Sequence, residues 1–187
     1  EAPRVAWVDL GDTDSRAHEG DYSAYLAAAQ RADVFLADLW AKLQADPRTA
    51  GNTTLIVTSD HGQVDVGDNI VQPSDDLLAL VSLQSGEGRF RWLHARRGAE
   101  DELLAGSVAE FGEQAWVRTR EQVIAEGWFG AAVPPPVAQR LGDVCVVAHE
   151  PVSFHDPDDG GPFALVCRHG SLTSAEVYVP LLAGVRD

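Results

Sequence analysis

The chain contains no methionine, a single lysine (Lys42) and two cysteines. The shortage of basic side chains says most about partners. Fourteen Lys and Arg stand against 29 Asp and Glu, a formal net charge of −15. A surface of that sign repels polyanions, so neither a nucleic-acid polymer nor an anionic membrane is expected as a partner. No apolar run reaches the roughly 20 residues that cross a bilayer. No basic segment followed by an apolar stretch marks a leader, and a cytoplasmic location is the expectation. Cys145 and Cys167 stand in the apolar contexts V-C-V-V and L-V-C-R, which read as buried thiols in strands. A disulfide stays open if those strands are neighbours, and no C-x-x-C pattern supports a zinc knuckle. With Glu1 first and no methionine, an upstream segment is expected to be missing.

What is present supports a folded chain. Apolar residues make up 45% of the 187 residues, enough for one substantial core. Residues 4–10, RVAWVDL, are β-rich and end at Gly11, so they read as a buried strand. A polar, Asp-dense stretch follows to Gly20. Asp21 then caps a helix. Tyr22, Tyr25, Leu26, Ala29, Leu36, Leu39, Trp40 and Leu43 form its apolar stripe, and Pro47 and Gly51 end it. TTLIVT at 53–58 reads as a second buried strand running into S-D-H-G.

Strand, loop, long helix and strand make a β-α-β unit, which implies an α/β fold with a mostly parallel sheet flanked by helices. Both Asp-rich loops then lie at carboxyl ends of strands, where open α/β sheets bind ligands. The middle of the chain alternates short strands and helices. LLALVSL, RFRWLHA, AWVRT and DVCVVAH read as strands and 99–111 as a helix. Thr119 with Gln122, and Thr173 with Glu176, have capping-box spacing. FALVC leads into R-H-G, and VPLLAG reads as a last strand. The expected organisation is an α/β metal-binding core from 1–63 and 163–187, with 64–162 as a smaller α+β insertion or cap.

Three loops carry the chemistry. Asp14 and His18, four residues apart, can meet on one side of a helical turn and chelate one cation. Asp60 and His61 follow a strand and precede Gly62, where they can serve two neighbouring cations, or one cation and the groups that orient its ligands. His169 also follows an apolar stretch and precedes a glycine. D-x-x-x-H alone is a weak signal. Its combination with two H-G loops at strand ends is a far stronger one.

In this order the motifs D-x-x-x-H, T-S-D-H-G and a distant H-G resemble the alkaline phosphatase superfamily, which includes nucleotide pyrophosphatase/phosphodiesterases, phosphonate hydrolases and sulfatases. GDTDSRAHEGDYSAYL through TTLIVTSDHG resembles its sulfatase-like bacterial members. RFRWLHARRGAEDELL, AWVRTREQVIAEGWFG, RLGDVCVVA and HGSLTSAEVYVPLL resemble bacterial nucleotide pyrophosphatase or alkaline phosphatase-like members. The resemblance covers most of the chain. It implies hydrolysis of small phosphate esters at a site with two divalent ions, in the first instance zinc. Asp14, His18 and His169 match the ligands of one ion, and Asp60 and His61 match ligands of the other. In the family a further Asp and the nucleophilic Thr or Ser come from an earlier segment. Nothing before Asp14 supplies them, since Glu1 and Asp9 sit in unmatched contexts. The catalytic nucleophile is therefore expected outside this chain, and the isolated segment is expected to be nearly inactive.

Other residues have plainer readings. His94 and His149 read as packing or surface residues. His155, in FHDPDDGG, reads as part of a solvated loop. Trp128 and Phe129 suit either an apolar substrate wall or the core of the cap. Arg168 could reach a phosphoryl oxygen, although alternation along its strand points it away. Gln63 stands where some sulfatase-like relatives carry Arg. Thr13 and Ser59 are hydroxyls near the motifs, and family order makes neither the nucleophile. Two alternatives remain: a sulfatase-like or phosphomutase-like enzyme of the same superfamily, and a non-catalytic metal-stabilised half or partner subunit.

Overall fold

The computed structural model describes residues 4–158 and 165–185. They fall into two units. The first holds 4–60, 165–167 and 179–185, and the second holds 61–158 and 168–178. In chain order the elements begin with α1 (Asp12–His18), α2 (Tyr22–Ala45), β1 (Leu55–Thr58), β2 (Val64–Asp65), β3 (Ile70–Val71) and α3 (Asp75–Leu80). Next come β4 (Val81–Glu87), β5 (Phe90–Ala95), α4 (Glu100–Phe111), β6 (Ala115–Thr119), α5 (Arg120–Ala125) and α6 (Pro135–Ala138). The last are β7 (Val144–Ala148), β8 (Ser153–Phe154), β9 (Cys167–Arg168), α7 (Ser174–Val177) and β10 (Leu181–Gly184). The chain is an α/β protein with mixed sheets and helices.

The second unit is built on the four-stranded antiparallel sheet β4-β5-β7-β6. Its strand β7 has the sequence VCVVA, with all five side chains buried. Alternation sends them to two faces. Val144, Val146 and Ala148 join a cluster with Leu77, Leu103, Phe111 and Phe154. Cys145 and Val147 join Trp92 and Val123 on the other side. Cys145 is a free thiol that burial pushes up to about 12, so it is protonated and inert at neutral pH. The Thr119 capping box is complete: its hydroxyl accepts from the Gln122 N–H, and the Gln122 side chain accepts from the Thr119 N–H.

LLALVSL divides between two elements rather than forming one strand. Its first residues complete α3, because the Ser74 hydroxyl accepts from the Leu77 N–H and so starts a helix that Asp75 and Asp76 reinforce. The chain turns extended only at Val81.

In the first unit, Asp21 caps α2 by accepting from the Ala24 N–H at 2.9 Å. Most of the expected α2 stripe is half-buried, but Tyr22 and Leu26 are exposed, and Ala28 is the buried residue of the helix. β1 pairs with β10 in antiparallel register, Leu55 opposite Gly184 and Thr58 opposite Leu181. Trp40 of α2 lies against Gly184, near enough that an added methyl would meet the indole at 3.2 Å.

The β-α-β unit expected over 4–58 is not formed. Residues 4–10 form no strand, and Val5 and Trp7 are 93% and 86% exposed. Strand propensity is expressed only where a neighbour takes up the backbone hydrogen bonds. Of the described residues of FALVC, only Cys167 lies in a strand, β9; residues 163 and 164 lie outside the described residues, as do 159–161 of the HDPDDGG loop. No helix among the described residues is long and apolar enough to cross a membrane.

Candidate functional site

In the first unit, α1 carries Asp14 and His18 on one face. Asp14 Oδ1 lies 3.4 Å from His18 Nε2. The other ring nitrogen, Nδ1, is 2.6 Å from the Cys167 carbonyl oxygen. A carbonyl can only accept, so Nδ1 carries a proton and donates to it. The Val166 N–H donates to the His18 carbonyl at 2.9 Å. The histidine is thus fixed through both its ring and its backbone. Asp60 follows β1 by two residues and is exposed.

In the second unit, the histidines of the two H-G dipeptides meet. The His61 and His169 rings stack with centroids 3.5 Å apart and planes 11° from parallel. His61 Nδ1 lies 2.9 Å from the Gly62 carbonyl, a contact in which the nitrogen donates. The two glycines answer different needs. At Gly62 a Cβ would collide with the Ala175 carbonyl oxygen, so the glycine serves a close approach to α7. Gly170 has φ +113°, a left-handed conformation that L side chains resist.

Behind these loops is a buried ion pair that the sequence reading missed. Glu176 of α7 and Arg89 are 2% and 0% exposed. Arg89 Nε and Nη2 donate to the two Glu176 oxygens at 2.7 and 2.8 Å. Arg89 Nη1 donates to the Val152 and Glu150 carbonyls. The Ser171 N–H also donates to Glu176 Oε1, at 3.0 Å, and the Thr173 hydroxyl to Oε2. The expected Thr173 capping box therefore fails: Thr173 makes no side-chain cap bond to the backbone. Its hydroxyl is taken by a carboxylate that the Arg89 guanidinium has drawn inward. Burial raises the Glu176 carboxyl, but the hydrogen bonds from Arg89, Thr173 and Ser171 outweigh it and leave the group below its ordinary value.

The remaining candidates have structural partners. His94 Nε2 is 3.0 Å from the Ser85 hydroxyl. The His149 ring lies edge-on to Trp116. His155 donates its N–H to the Val71 carbonyl. Trp128 packs against the Trp92 cluster, and Phe129 lies near Phe90. Arg168 is turned toward Glu87, with Nη1 3.1 Å from Oε1.

The donor set suits a divalent ion of borderline softness. Imidazole nitrogens and the carboxylates of Asp14 and Asp60 are donors of that class. Metal-bound histidines commonly donate their second N–H to a backbone carbonyl in this way.

Comparison with solved structures finds the same fold. Murine ectonucleotide pyrophosphatase/phosphodiesterase 5 matches with a TM-score of 0.70 and 17% identity, over 92% of this chain and 44% of that one. The human protein matches with a TM-score of 0.62 and 16% identity, over 91% of this chain and 44% of its own. Phosphonoacetate hydrolase from Sinorhizobium meliloti 1021, in complex with phosphonoformate, matches with a TM-score of 0.60 and 17% identity, over 86% and 40%. The chain thus spans less than half the length of these solved relatives. No curated protein sequence matches it. Residues 1–172 match type I phosphodiesterase / nucleotide pyrophosphatase, and the chain belongs to that family, a group of phosphoric ester hydrolases in the alkaline phosphatase superfamily.

Proposed function

We propose that the chain supplies the metal-ligand part of a phosphoester hydrolase of the phosphodiesterase, nucleotide pyrophosphatase or phosphatase type. Asp14, His18 and His169 hold one divalent ion and Asp60 and His61 hold part of a second, with zinc as the natural occupant. The 1–63 and 163–187 segments act as the metal-binding core, and 64–162 as the insertion or cap. The substrate is a small phosphate ester, and the attacking hydroxyl comes from outside this chain. The carrying observation is that His18 and His61 each have Nδ1 at a backbone carbonyl, the arrangement that metal-bound histidines commonly adopt. The murine relative has been solved with AMP and the bacterial one with phosphonoformate, which supports a phosphorus oxyanion as the common ligand.

When bound, two such ions supply positive charge and Lewis acidity for in-line displacement at phosphorus. The rest is the work of this chain. Asp14 and His18 orient donors from a single helical turn, and the Cys167 carbonyl fixes the His18 tautomer. The His61 and His169 rings stack face to face, which keeps both imidazoles in one place. The ions also answer the charge of −15, which by itself would repel a phosphate ester.

The test is zinc content after dialysis, with turnover of bis-aryl phosphate, aryl phosphate and aryl sulfate. Near-stoichiometric zinc that falls in His18→Ala and His169→Ala supports the reading, as does phosphoester turnover when a segment carrying the nucleophile is supplied. Preference for the sulfate would point to a sulfatase-like enzyme. Absence of zinc with unchanged folding would sink the reading and leave a scaffold.

A further inference from the structure

The strongest unused feature is the Arg89–Glu176 pair, because of what hangs from it. A buried ion pair is weak evidence for stability by itself, since desolvation offsets much of the attraction. Here both charges are fully used. Arg89 is fixed to the packed part of the second unit by the Glu150 and Val152 carbonyls. Its fork holds Glu176 in one orientation. Glu176 then reaches both histidine loops. Its carboxylate accepts from the Ser171 N–H, two residues beyond His169. Its backbone carbonyl accepts at 2.8 Å from the N–H of Gly62, the residue after His61. The Ser171 hydroxyl donates to the Ala148 carbonyl at the end of β7, which ties the same loop to the sheet. One residue is therefore hydrogen-bonded to the backbone of both loops whose rings stack 3.5 Å apart.

We infer that Glu176, held by Arg89, is a positioning residue that sets the spacing and orientation of His61 and His169; its meaning for metal binding rests on the function proposed above. Neither residue touches an ion. Glu176 acts through two backbone N–H groups, and Arg89 acts through Glu176. Substituting Gln for Glu removes the charge and leaves one acceptor oxygen where two were shared among four donors, so the Ser171 and Thr173 anchors compete for it.

The experiment uses the 187-residue chain and the variants Glu176→Gln, Arg89→Lys, Thr173→Val and Val123→Ala. Val123 is buried on the opposite face of the sheet, so its truncation destabilises without touching either loop. Two readouts are taken on folded protein. One is zinc affinity by competition with a chromophoric chelator. The other is proximity of the His61 and His169 ring protons by NMR without metal. Glu176→Gln and Arg89→Lys are expected to weaken zinc binding by about 10–100-fold, the usual effect of losing a residue that orients metal ligands, and to lose the ring contact. Thr173→Val, which deletes one anchor and keeps the pair, is expected to shift both readouts less and in the same direction, and it serves if the other variants do not fold. Val123→Ala should lower the unfolding temperature and change neither readout. Glu176→Gln or Thr173→Val behaving like Val123→Ala would overturn the inference. Absence of zinc from the parent chain would instead count against the proposed function. The metal-free ring contact would then decide the positioning role alone: its loss in Glu176→Gln supports the role, and its survival refutes it.

Discussion

In the second unit, β7 buries all five of its side chains between two apolar clusters. In the first, β1 leaves Ile56 exposed and pairs with β10, whose Leu181 and Leu182 are exposed as well. Ala28 is the buried apolar residue there among the described residues, whereas the second unit has two packed clusters. Candidate ligands occur on both kinds of ground. Asp14 and His18 are held by a helical turn and hydrogen bonds to the Val166–Cys167 backbone. His61 and His169 are held through a buried ion pair joined to a packed sheet. Ligand geometry can therefore be fixed by local hydrogen bonding or by a core, and the two should respond differently to damage.

The largest contrast is expected in stability. Phe111→Ala, in the core of the second unit, should cost about 3–5 kcal/mol of unfolding free energy. Ile56→Ser, on exposed β1, should stay within about 0.5 kcal/mol. Urea unfolding of both variants checks this, and equal losses would break the comparison. A smaller contrast lies in thiol reactivity. Cys167, half-buried in the first unit, should react with a disulfide reagent at least about tenfold faster than Cys145. Peptide mapping after timed labelling separates them. Smaller again is the Thr119 cap of α5. Thr119→Ala removes an acceptor that a helix N-terminus needs and should cost about 1 kcal/mol, read from the shift in urea midpoint.

The smallest effect is expected in acid. The Glu176 carboxyl lies below its ordinary value of 4.5 in the folded state. A depressed carboxyl stabilises the fold above its unfolded pKa, and that contribution is lost as pH falls through the folded value. Stability should thus decline below about pH 4.5, and Glu176→Gln should flatten that decline. Asp46, in the first unit, is lowered further, to about 2, by hydrogen bonds from Arg48. That pair is exposed, and solvent screening leaves it little weight. Asp46→Asn is therefore expected to leave the acid limb unchanged, despite the larger shift. Unfolding curves taken from pH 3 to 7 compare the two carboxylates directly.

Much of the fold could be read from local pattern. α4, β6 and β7 fall where periodicity and alternation put them, and the Asp21 and Thr119 caps are made as their spacing requires. These features depend on neighbours within a few residues. Residues 4–10 and LLALVSL were misread because apolar, β-rich composition states a propensity and not a partner. The Thr173 cap was misread because the competing partner, Arg89, is 84 residues away in sequence. No spacing rule carries that information.

By itself the sequence determined which side chains carry candidate donor atoms, since D-x-x-x-H, D-H-G and H-G are statements about side-chain chemistry, and their order pointed to the family. The tertiary structure decided which backbone carbonyls meet the His18 and His61 rings, that the two H-G rings stack, and that Glu176 turns inward to a buried arginine. Donor chemistry belongs to a side chain wherever it sits. Orientation belongs to the backbone carbonyls and buried charges that the fold brings within hydrogen-bonding distance.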